Sequence, residues 1–162
     1  MSDTSQDAKF EDGGEDALRL LAMDQEDLQV VSTLVQDAVF PANEMGWDAK
    51  HRRFSLLLNR FRWEDVIAAN QRARPVERVQ SVLSVSDVLK VQSQGIERGD
   101  KDMILSLLSL SFAEGEDGMG RLELVLAGDG AIALEVETLD VTLQDVTRPY
   151  IAPSKHTPEH PE

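Results

Sequence analysis

Four arginines and a tryptophan crowd the stretch KHRRFSLLLNRFRWE, residues 50–64. Arg52, Arg53, Arg60 and Arg62 are the residue types that hold phosphate, and Trp63 is one on which a base stacks, so together they outline a platform for nucleic acid. The competing reading is a core strand: the aliphatic stems of the arginines flank a buried apolar centre, and their heads are solvated or paired with acids. The centre favours the strand. Phe54, Leu56 and Leu58 alternate onto one face, Ser55 and Leu57 onto the other. Beyond Asn59 the large residues Phe61 and Trp63 fall on the opposite parity, which requires either cover on both faces or a bulge that switches the phase.

A second charged cluster lies in SQGIERGDKD, residues 93–102. Asp100 and Asp102, with Glu97 near them, are hard oxygen donors. The alternating ligands, central glycine and terminal glutamate of a calcium-binding loop are missing, so no metal is expected. Gly95 and Gly99 suit a polar connection between strands. The density of Arg98, Asp100, Lys101 and Asp102 in one connection also suits a binding loop. His51, His156 and His160 are dispersed, and prolines surround the last two. No phosphate-binding loop, dinucleotide fingerprint or nucleophile elbow is present. No catalytic residue is identified and no cofactor is expected.

The whole chain bounds these readings. It has 162 residues, a formal net charge of −14 and no cysteine. That length suits one domain with a substantial core. The missing cysteines exclude a disulfide framework, a thiolate metal site and a cysteine nucleophile, and fit a reducing compartment. The acidic start MSDTSQDAKFEDGGED lacks the basic region of a signal peptide, and no apolar run is long enough to span a membrane, so a cytoplasmic protein is expected. The negative charge opposes binding to nucleic acid or anionic lipid. Locally the balance reverses: between Asp48 and Arg78 eight basic residues face four acids, a balance of +4.

The elements that must position these residues follow from periodicity. Residues 1–16 and 148–162 read as disordered tails, one acidic, one proline-rich. Residues 17–147 read as a single α+β domain. Leu18–Ala22 suits a short strand. Asp24 is a helix N-cap, and Leu28, Val31, Leu34, Val35 and Ala38 form one apolar stripe of a helix that ends near Gln36 or Asp37. Then the period becomes two. Strands are expected over Phe54–Leu58, Val79–Val85, Val88–Ser93 and, centrally in the sheet, Met103–Phe112. Leu122–Leu126 and Ile132–Val136 flank Gly128-Asp129-Gly130 as a hairpin. Leu139, Val141 and Leu143 extend it or begin another strand, and WEDVIAANQRARP suits a helical turn or a loop. About seven strands joined by short turns imply antiparallel pairing. The expected fold is a curved sheet or partly open barrel, comparable to that of pleckstrin-homology domains, with one amphipathic helix near the N-terminus.

The segments LRLLAMDQEDLQVVSTLVQDAV, RRFSLLLNRFRWE, VLKVQSQGIERGDKDMILSLLSLSF and GDGAIALEVETLDVTLQDV together resemble the proteobacterial domain-of-unknown-function family 2948. The resemblance implies a small cytoplasmic protein and carries over no catalytic residue. The function expected is a non-enzymatic module that binds a protein partner or itself. Its rivals are a cysteine-independent hydrolase or lyase, and a nucleic-acid-contacting protein that uses residues 50–78. Binding candidates are Arg52, Arg53, Asn59, Arg60, Arg62, Trp63, Arg98, Asp100, Lys101 and Asp102.

Overall fold

A computed structural model describes residues 17–73, 75–96 and 102–151. The chain opens with β1 (Arg19–Ala22) and α1 (Gln25–Leu34). Asp24 caps the helix from extended backbone, its carboxylate accepting the Asp27 N–H at 2.8 Å, while Glu26 and Asp27 sit in the first turn, where the helix dipole favours acids. Leu28, Val31 and Leu34 are buried along one stripe. The helix stops slightly earlier than the stripe implies. Asp37 turns into positive φ, and its N–H donates to the Leu107 carbonyl at 2.8 Å, so the backbone is captured by a strand.

Nine further strands follow: β2 (Val39–Pro41), β3 (Met45–Asp48), β4 (Arg53–Phe61), β5 (Arg78–Val85), β6 (Val88–Gln94), β7 (Ile104–Glu114), β8 (Gly120–Leu126), β9 (Ala131–Val136) and β10 (Val141–Asp145). A second helix, α2 (Val66–Gln71), follows a 3-10 turn at Trp63–Asp65. The strands form one open antiparallel sheet in the order β1-β10-β5-β4-β2-β7-β8-β9-β6, with β3 paired to β4 beside this path. Among the described residues the strands number ten rather than about seven. Part of the excess is β2 and β3, which are too short to display an alternation, and β3 is largely exposed.

The strand predicted from residue 54 is β4, with Phe54, Leu56 and Leu58 buried on the inner face. No bulge interrupts it: the register with β5 runs unbroken from Phe54↔Val85 to Phe61↔Arg78. Cover on both faces is the solution instead. Phe61, on the outer face, is buried in a small second core with Ala69 and Val76.

β5 and β6 are consecutive yet do not pair. β5 lies between β4 and β10, whereas β6 pairs with β9. The chain turns between them at Asp87, in positive φ, and Glu137 N–H donates to the Asp87 carbonyl at 2.9 Å. The β8–β9 hairpin forms as its turn residues require, with positive φ at Gly128 and Asp129 and Leu126 N–H donating to the Gly130 carbonyl at 2.9 Å. β7 is central in strand order, although Ile104 and Leu108 on its outer face are exposed. It meets β2 only over Ile104–Ser106. Along the rest of that edge α1 supplies the missing partners: Ser32 Oγ accepts the Leu110 N–H at 2.9 Å, and Gln25 Nε2 donates to the Phe112 carbonyl at 2.7 Å.

At the start of β8 the ring of Phe112 lies against Gly120. A Cβ there would stand 2.5 Å from Phe112 Cζ and 2.6 Å from the Ala113 carbonyl oxygen. The backbone oxygen cannot rotate away. Gly120→Ala is therefore expected to destabilise the fold by about 1–3 kcal/mol, read as a lower denaturation midpoint at unchanged slope.

Candidate functional site

The inward parity of β4 runs Phe54, Leu56, Leu58 and then Arg60, so the arginine enters the protein where the next apolar residue would stand. It is fully buried. Its guanidinium uses all its donor directions. Nη1 and Nη2 donate to the two Glu64 carboxylate oxygens at 2.9 and 2.8 Å, Nη1 also to the Phe61 carbonyl at 3.1 Å. Nη2 and Nε reach Asp145 Oδ1 at 3.0 and 3.2 Å, and Nε the Ser81 hydroxyl at 3.1 Å. Ser81 in turn donates to Asp145 at 2.7 Å, and Asp145 Oδ2 accepts the Leu18 N–H at 3.0 Å. Burial pushes the Glu64 carboxyl up, but the hydrogen bonds and charge of Arg60 outweigh it and hold the group below its ordinary value. Burial likewise works against the Arg60 cation, yet Glu64 and Asp145 leave its pKa raised.

Arg62 is also buried. It pairs with Glu77 through a short contact and with Asp65 at 3.4 Å. Arg60 and Arg62 thus leave the surface set drawn from the sequence. The alternation that buries Leu58 must bury residue 60 as well, and α2 with its flanking loop covers the end of the strand. Trp63 is half-buried: its ring packs on Phe61 with centroids 5.3 Å apart, and Nε1 donates to the Gln36 carbonyl at 2.9 Å. Arg52 and Arg53 remain exposed, Arg52 in an ion pair with Glu137 at 2.8 Å. Asp102 is exposed. Arg98, Asp100 and Lys101 lie outside the described residues. The expected row of cations is therefore divided into two exposed and two buried arginines.

On the outer face, Asn59 borders a hollow of 240 Å³ where β2 meets β4 at the single pair Val39↔Asn59. Val39, Pro41, Leu57, Gln80 and Ile104 also line it. Asn59 Nδ2 donates to the Tyr150 hydroxyl at 2.6 Å. Tyr150 itself bridges Arg78, whose guanidinium lies 4.3 Å from the centre of the Phe61 ring. Sequence reasoning missed Ser81, Arg78, Asp145 and Tyr150. Asp145 carried a signal, because it continues the inward parity of Val141 and Leu143 as Arg60 continues that of Leu58. Among the described residues no group of three or more His, Asp or Glu is placed to hold a metal ion. Nor is any helix among them long and apolar enough to cross a membrane.

A family model described as a protein of unknown function, DUF2948, matches residues 18–160. The chain belongs to that family. The DUF2948 match spans both the Arg60–Asp145 network and the Phe61–Arg78–Tyr150 ladder, so both features lie within the family's domain. No curated protein and no solved structure matches the chain.

The Arg60 network carries two expectations. Arg60→Met leaves Asp145 buried beside Ser81 without its cation and should cost about 3–5 kcal/mol of unfolding free energy, whereas Arg60→Met/Glu64→Gln/Asp145→Leu should recover most of it. Glu64 has a depressed pKa in the folded state, so its contribution is complete above the unfolded-state pKa and is lost as pH falls through the folded one. Urea midpoints should accordingly fall as the pH drops below about 4, and more shallowly in Glu64→Gln.

Proposed function

We propose that this DUF2948 member is a non-enzymatic protein-binding module that docks through the backbone edge of β6 and takes a second copy of itself as its partner. One observation carries the reading: among the described residues β6 ends the sheet and pairs only with β9, and it exposes Leu89, Lys90, Gln92, Ser93 and Gln94 over its seven residues. An edge strand of that length offers unpaired amides and carbonyls as a template for another strand. Val88 N–H is already engaged, by the Arg52 carbonyl at 2.9 Å. β1, at the other end of the sheet, has only four residues.

Charge supports a second copy as the occupant. In an antiparallel pairing centred on Val91, Lys90 of one copy stands opposite Gln92 of the other, so no like charges meet. Behind that edge, Lys90, Glu135 and Arg121 occupy one cross-strand row of alternating sign. The repulsion of a strongly acidic molecule is thus locally relieved.

The polyanion reading is less well supported, because within residues 50–64 it retains only Lys50, Arg52 and Arg53 as exposed Lys or Arg side chains, with Arg52 paired. A hydrolase or lyase requires acids free to exchange protons, and Glu64 and Asp145 are bound to Arg60. An open antiparallel sheet packed by a helix supports the pleckstrin-homology comparison of shape, while the helix's place between β1 and β2 departs from it. A cytoplasmic setting belongs to the same proposal, supported by the absence of cysteine.

Sedimentation equilibrium across a concentration series should show mass rising from 18.0 kDa towards twice that value. Lys90→Glu/Gln92→Glu places acids opposite acids across the proposed pair and should weaken association at least about tenfold. A wild-type mass that stays monomeric at millimolar concentration would remove self-association.

A further inference from the structure

We propose that Arg78 is a receptor for a carboxylate, set between Phe61 and Tyr150 on the outer face of the sheet. Phe61, Arg78 and Tyr150 are successive cross-strand neighbours, since Phe61 pairs with Arg78 in the β4–β5 register and Tyr150 bridges Arg78 from the other side. The bridge is fixed by two backbone hydrogen bonds, Arg78 N–H to the Tyr150 carbonyl at 2.5 Å and Tyr150 N–H to the Arg78 carbonyl at 2.8 Å. Tyr150 then reaches across β5 to accept the hydrogen bond from Asn59. The guanidinium is held against the Phe61 ring with one flank walled, an arrangement that fixes the plane of its remaining donors.

Among the described residues this cation has no paired acid. The sequence has 30 acids against 16 Lys and Arg. Buried Arg60 and Arg62 each pair with two or more carboxylates, although the Arg62 Nε, like that of Arg78, is buried without a hydrogen-bond partner. No acid among the described residues pairs with Arg78, and its Nε is buried with no hydrogen-bond partner. Burial lowers the Arg78 pKa, and among its neighbours only the hydroxyl of Tyr150 acts in the opposite direction. A half-buried guanidinium without an acid partner among the described residues is left to be completed from outside.

The chemistry selects a carboxylate over a phosphate. A planar, singly charged carboxylate matches the fork of one guanidinium in a bidentate pair and neutralises it. A phosphate dianion would bring surplus negative charge to a single cation on a molecule of net charge −14. The carboxylate has two sources, an acidic side chain of a protein or a small organic acid. The site lies at the end of β5 remote from the turn into β6 and does not depend on the proposed self-association.

The test is an NMR titration of the full chain labelled with nitrogen-15, following the side-chain Nε–H signals of the arginines. Arg78 is assigned by the signal lost in Arg78→Lys. Acetate, a blocked glutamate dipeptide, inorganic phosphate and chloride are added at constant ionic strength. Expected are saturable shifts of the Arg78 Nε–H and Tyr150 amide with acetate or the dipeptide, at millimolar midpoints, with phosphate doing no more than chloride. A dipeptide midpoint at least threefold below that of acetate assigns the site to protein acids, and equal midpoints assign it to small acids. A response that matches chloride, appears equally at Arg53, or persists at Tyr150 in Arg78→Lys overturns the proposal. A phosphate response larger than that of acetate overturns the choice of carboxylate.

Discussion

A guanidinium has no business in an apolar core unless every donor finds an acceptor, and that requirement organises one half of this protein. Arg60 stands on β4, Ser81 on β5, Asp145 on β10, and the Leu18 amide leads into β1. The four strands are adjacent in the sheet. A single polar network therefore crosses them in sequence, and a slip of any one by a residue would strand a charge in the interior. The same slip would turn Phe54, Leu56 and Leu58 away from the core, so the apolar alternation and the polar network specify one register together.

The other half solves a different problem. β7 is long, but β2 covers only its first residues. An uncovered central edge would invite unwanted pairing, and α1 closes it with a serine hydroxyl and a glutamine amide in place of a strand. The same helix presents Leu28 and Val31 to the core. Its place early in the chain follows from this double duty, since the turn at Asp37 must hand the backbone directly to β7 and then to β2.

The period-two segments and the helix with its Asp24 cap were legible in the sequence because each is a local pattern. The β8–β9 turn was legible because Gly128 and Asp129 can take the φ values it needs. Partners were not. Val79–Val85 and Val88–Ser93 read as two strands joined at Ser86-Asp87, and it takes the pairings of β5 with β4 and β10 and of β6 with β9 to reveal a corner. Arg60 and Asp145 illustrate what could have been read and was not. Each is a charge on the inward parity of an apolar strand, and their signs are opposite. Phe61 and Arg62 were harder, because their burial depends on α2 and the loop behind it. Arg78 and Tyr150 carried no pattern, since a one-residue bridge leaves no period.

The corner at Asp87 also governs the order in which this molecule can be assembled. β5 finds β4 across α2 and its flanking loops, but β6 waits for β9, with Val88 pairing to Val136, and Arg60 waits longer still for Asp145. A chain emerging from the ribosome carries β6 with both edges bare until nearly the whole domain has been made. Chaperone demand should peak in that interval, and ease only when the final strand arrives to lock the arginine in place.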